Sequence, residues 1–181
     1  QLSSTYPNLL NMDYLITEHS PLRSSWAEGG QHITQSLYGF QQVMNLFLYD
    51  QRVKYTHFWV TTSPWGNRET FDGDAEAFNP LNDWEITPQG MPILLFNEFI
   101  LDNLIQPVVN GLTGVYATSS SDGEQLTLLI LNKDDQAVDV NLTINNYTGS
   151  TDNTQWVYSG NGHEYDKNPV LRKFESVTVN Y

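Results

Sequence analysis

The sequence predicts an α/β segment followed by an all-β segment. Three observations predict it. Two short apolar runs are each followed by a helical stripe. Those runs hardly alternate between apolar and polar residues. From Gly114 onward the pattern changes to short alternating runs cut by turn residues. Strands without alternation suit a parallel sheet covered on both faces, and alternating strands suit antiparallel sheets with one wet face.

The first run, "MDYLITE", ends on Glu18 and reads as a strand. In "GGQHITQSLYGFQQVMNLFLYD", Ile33, Leu37, Phe40, Met44, Phe47 and Leu48 recur at helical spacing, which predicts a helix with one apolar face. "RVKYTHFWV" is β-branched and aromatic, a second strand. A polar loop rich in Gly, Asn and Asp runs from Thr61 to Glu85. "MPILLFNEFILDNLI" predicts a second helix, with Pro92 tolerated in its first turn. Strand alternation at period two places Tyr14, Ile16 and Glu18 on one side of the first strand. It places Tyr55, His57 and Trp59 on one inward side of the second.

After Gly114, turn signals at Asp122-Gly123, Asn132 to Asp135 and Asn145-Asn146 separate short strands, and further strands are expected at "TQWVYSG" and "ESVTVNY". This predicts an antiparallel β-sandwich. The expected division is residues 1–110 and residues 111–181. Two βα units cannot close a parallel sheet, so the first part is expected to have neighbours supplied by an upstream segment or a second chain. A chain opening at Gln1 is likewise expected to be cut from something longer.

Composition excludes several functions. Eight Lys and Arg stand against 21 Asp and Glu, a formal charge of −13 that disfavours nucleic acid and anionic membranes as partners. The absence of cysteine removes disulfides, thiolate metal sites and cysteine nucleophiles. No cofactor and no metal is called for: "FDGDAE" lacks the remaining ligands of a calcium loop. "SGNGHEYD", with His163, Glu164 and Asp166, is explained as a Gly-rich turn.

Glu18 in "ITEHS", "HFWV" with Trp59, the loop "SPWGNRE", the helix introduced by "ITPQG" and the strands that follow resemble, in that order, the C-terminal part of a clan A retaining glycoside hydrolase. Within that clan "TEHS" most resembles the agarase and porphyranase group acting on red-algal galactans. The resemblance implies the last two βα units of a (β/α)8 TIM barrel with an appended β-sandwich. It implies an enzyme cleaving a polysaccharide, in a secreted or periplasmic bacterial protein. Glu18 would be the nucleophile, Trp59 the floor of the cleavage subsite, and the acid/base Glu would lie upstream. The two carboxyl groups of such an enzyme stand about 5–5.5 Å apart. His19 and Arg23 would hydrogen-bond Glu18 or the sugar. Trp26, Trp65 and Arg68 would contact sugar in neighbouring subsites. The alternative readings are a non-catalytic carbohydrate-binding module and a clan A hydrolase acting on another sugar, such as xylan, arabinan or a glucan. The pair Asn97-Glu98 sits within an apolar helical run and reads as a solvated helix position, not a catalytic one.

Overall fold

A computed structural model describes residues 11–19, 32–58, 77–79, 83–109, 114–134, 136–148, 153–161 and 168–175. Strand β1 (Tyr14–His19), helix α1 (Ile33–Tyr49) and strand β2 (Val53–Phe58) follow one another, and β1 pairs with β2 in parallel. A helix between parallel strands is the crossover that parallel pairing requires. Helix α1 buries Gln35, Ser36, Gly39, Phe40, Val43 and Met44, one stripe at helical spacing. It stops at Asp50, whose backbone is extended and whose N–H still donates to Leu46 O. The Asp50 carboxylate then accepts from the Arg52 N–H at 3.0 Å and its Nε at 2.8 Å, while Val53 N donates to Asp50 O at 2.9 Å. That turn starts β2 beside β1. The Arg52 guanidinium holds the Asp50 carboxyl down at about 2.

Short strands β3 (Phe78–Asn79) and β4 (Glu85–Ile86) pair antiparallel and lead into helix α2 (Met91–Phe99), with Pro92 in the first turn as expected. The helix is shorter than the apolar run that predicts it. Ile100 is extended, Leu101 N donates to the buried Thr118 Oγ1 at 3.1 Å, and residues Asn103–Ile105 become strand β5. Pairing with a neighbouring strand offers the backbone more there than another helical turn would.

Strands β5, β6 (Val115–Ser119) and β7 (Leu126–Ile130) form a three-stranded antiparallel sheet. Its β6–β7 turn is the expected one. Gly123 has φ +76°, and Asp122 accepts from Glu124 N at 3.0 Å. Strands β8 (Thr154–Ser159) and β9 (Val170–Glu175) form a separate antiparallel hairpin. The core cluster is Phe40 and Met44 of α1 with Tyr116 and Leu131, flanked by Leu48, Leu95, Phe96, Ile100, Leu104 and Leu129. Tyr116 meets Phe40 edge-on at 6.3 Å, and its hydroxyl donates a hydrogen bond to Asn45 Oδ1 at 3.0 Å. Elements from both sides of residue 110 therefore share one core.

The expected fold class is corrected here. The described residues form two helices and four small open sheets, with neither a closed barrel nor a β-sandwich. Residues 136–148 contain no strand, and Val138 and Leu142 stand 41% and 42% exposed instead of facing a second sheet. Alternation predicted strands there, but alternation stabilises a strand only where the apolar face has something to cover it. The strand expected in "ESVTVNY" lies almost wholly outside the described residues. Among the described residues no helix is long and apolar enough to cross a membrane.

Candidate functional site

The carboxyl ends of β1 and β2 carry most of the chemistry predicted for this chain that the structure describes. Parallel pairing brings Tyr14 beside Val53, Leu15 beside Tyr55, Ile16 beside Thr56 and His19 beside Phe58. The register slips twice. Lys54 is one residue too many on β2, and Thr17 with Glu18 spans His57 alone on the other strand. A one-residue slip moves a side chain to the other face of a sheet. Val53 is buried, whereas Leu15 is 52% exposed and its partner Tyr55 67% exposed. Thr17, Glu18 and His57 are exposed as well. The inward placement predicted for Tyr55 and His57 by strict alternation is thus overturned, and Glu18 departs from the half-buried Ile16 because the irregularity intervenes.

His19 is half-buried with its ring edge-on to Phe58 at 5.8 Å and 80°. Its Nδ1 is buried without a hydrogen-bond partner among the described residues. Burial, and after it the nearby His57, hold the His19 imidazole below its usual pKa. The unfolded chain therefore takes up a proton near pH ~6.5 that folded His19 resists. The sign follows: the contribution is complete above that pH and is lost as pH falls toward the lower folded value. The urea midpoint of the wild type is expected to drop between pH 7.5 and 5, and His19→Gln is expected to flatten that drop. Equal slopes in the two proteins would assign the drop to other groups.

Of the remaining predicted sugar contacts, Arg23, Trp26, Trp59, Trp65 and Arg68 lie outside the described residues. Glu98 is exposed near the end of α2, as its solvated reading expects. The resemblance to a retaining glycoside hydrolase, and with it the agarase or porphyranase assignment and the carbohydrate-binding alternative, does not hold. Cleavage by double displacement needs two carboxylates that face each other across the sugar. Among the described residues there is no closed barrel and no catalytic carboxylate pair, and no group of three or more His, Cys, Asp or Glu could hold a metal. Comparison with known protein families, curated proteins and solved structures returns no match.

Sequence reasoning missed a buried polar clamp. Ser36 Oγ, fully buried on α1, donates to Pro88 O and lies 2.9 Å from Tyr158 OH on β8. With the serine proton committed to the carbonyl, the tyrosine hydroxyl donates to Ser36. Three segments distant in sequence are thereby tied together. A signal existed: Ser36, Phe40 and Met44 recur every four residues, so the apolar stripe of α1 runs through Ser36.

Proposed function

We propose that the chain acts as an assembly unit whose parallel β1–β2 pair accepts extended polypeptide, from another segment of its own protein or from a second chain. The observation that supports this is the in-register pair Leu15 and Tyr55, 52% and 67% exposed. Parallel strands are ordinarily buried on both faces and flanked by further strands. Among the described residues neither β1 nor β2 has a second neighbour. Unpaired strand edges beside apolar side chains are templates for strand addition. The charge of −13 keeps such a surface soluble while it is uncovered.

Hydrogen exchange on the protein purified from its own cells, set against residues 1–181 produced alone, tests the reading. Amides of β1 and β2 are expected to exchange about ten-fold or more slowly in the native preparation. The double variant Leu15→Lys and Tyr55→Lys is expected to erase that difference while changing the stability of the isolated chain by less than about 0.5 kcal/mol. Equal exchange in the two preparations discards the assembly role.

A further inference from the structure

Strand β7 pairs with β6 along one edge, and the parity of its backbone fixes which residues face the other. Leu131 N donates to Gly114 O at 2.9 Å and Ser120 N to Gln125 O at 3.1 Å, both in register with the β6–β7 ladder. In an antiparallel ladder a residue turns its N–H and C=O to the same side, and its neighbours turn theirs to the other. Thr127 and Leu129 therefore bond to β6. Leu126, Leu128 and Ile130 direct N–H and C=O to the edge where no described strand pairs. Their side chains share a sheet face with Val115 and Ala117, opposite the face on which Leu129 meets the core.

Residues 136–148 are pinned to both ends of that strand. At one end Asn132 Nδ2 donates to Gln136 O at 2.8 Å, and Asp134 N donates to Asn132 Oδ1 at 3.0 Å, which turns the chain back. At the other the Tyr147 hydroxyl donates to Glu124 O at 2.7 Å, just past Asn146, whose φ of +60° marks a second bend. Between the pins Val138, Val140, Leu142 and Ile144 alternate with Asp139, Asn141 and Thr143. Setting Gln136 opposite Asn132 and continuing antiparallel brings Val138 to Ile130, Val140 to Leu128 and Leu142 to Leu126. These are the three residues of β7 whose backbone groups face the edge. Apolar then meets apolar on one face, where Ile130, Val138 and Leu142 stand 40%, 41% and 42% exposed and would each gain a neighbour. A run already held at both ends has lost much of the entropy that closing it costs.

We infer that residues 138–144 are a strap poised to close on β7 as a fourth strand of its sheet, sealing an edge that otherwise invites another chain. The strap lies in a different sheet from β1 and β2 and is independent of their role.

Amide exchange and NOE measurements on ¹⁵N- and ¹³C-labelled chain test the inference. After correction for intrinsic rates, Val138, Val140 and Leu142, whose N–H groups would donate to β7, are expected to exchange about three-fold or more slowly than Asp139, Asn141 and Thr143, whose N–H groups would face away. A closed form holding about two thirds of the molecules suffices for that ratio. Hα–Hα contacts are expected between Leu129 and Asp139 and between Thr127 and Asn141, the pairs without direct hydrogen bonds. Val140→Pro removes a ladder donor and is expected to abolish the protection at Val138 and Leu142. Asn141→Pro removes a donor that points away and is expected to preserve it, because an edge strand tolerates proline there. Three results overturn the inference: uniform exchange along residues 138–144, contacts from them to a segment other than β7, or equal effects of the two proline variants.

Discussion

Phe40→Ala is expected to lower the unfolding free energy by about 3–5 kcal/mol, the range for deleting a buried aromatic side chain. The ring is 2% exposed and stands edge-on to Tyr116, so its loss removes transfer energy and leaves a cavity between α1 and the β5–β6–β7 sheet. Half of the polar tie between these layers, the Tyr116 hydroxyl on Asn45, would be left on a looser aromatic ring. Because the cluster draws on both sides of residue 110, the whole chain should be destabilised as one unit, seen as a lower urea midpoint shared by probes on α1 and on β6. Tyr49 sits on the same helix at 89% exposure, and Tyr49→Ala should change stability by less than about 0.5 kcal/mol. If the two variants cost the same, the core does not lie where Phe40 places it.

The second large effect is expected at Gly90. Its backbone is ordinary, with φ −80°, so glycine is not required there for conformational freedom. It is required for space: a Cβ would stand 2.2 Å from Ala77 O, itself fully buried and already accepting from Thr87 N at 2.9 Å. Neither backbone can yield without breaking that bond or moving the first turn of α2. Gly90→Ala should therefore cost about 3 kcal/mol, the upper part of the overpacking range. Gly123 supplies the contrast. It has φ +76° but nothing within 4 Å of an added Cβ, so Gly123→Ala should cost only the left-handed penalty of about 1 kcal/mol. Thermal unfolding of both variants separates the two causes, and a Gly123 effect equal to that of Gly90 would show that strain, not contact, dominates.

These two sites also show how much could be read beforehand. Phe40 and Met44 were recognisable as core from their spacing alone, because a helix in water must hide one face. The strands β1, β2, β6 and β7 and the Asp122-Gly123 turn were legible for similar local reasons. Gly90 was visible only as a punctuation mark before a helix. That it touches Ala77 depends on β3 pairing with β4, a contact no local pattern records. The exit of the chain from α2 at Phe99 went unforeseen for the same reason. "FILDNLI" is apolar at helical spacing, but Thr118, 17 residues beyond Leu101, captures its N–H.

At the candidate site the failure has another origin. Period-two reasoning assumes an unbroken ladder, and β1 breaks it by setting Thr17 and Glu18 against His57. Two slips, one at Lys54 and one where Thr17 and Glu18 oppose His57, were enough to change which side chains face outward. The resemblance built on Glu18 and its neighbours failed at a larger scale, since short motifs in a familiar order do not carry the closure of a sheet around them.

By itself the sequence determined the local elements, the charge of −13 and the apolar stripe of α1, since propensity, periodicity and composition are properties of neighbouring residues. Tertiary structure alone decided that the sheets among the described residues stay small and open, that Leu15 and Tyr55 face outward, and that Ser36 meets Tyr158. Those outcomes turn on which distant segments find each other, and the free energy of such contacts belongs to pairs of segments and to neither one alone.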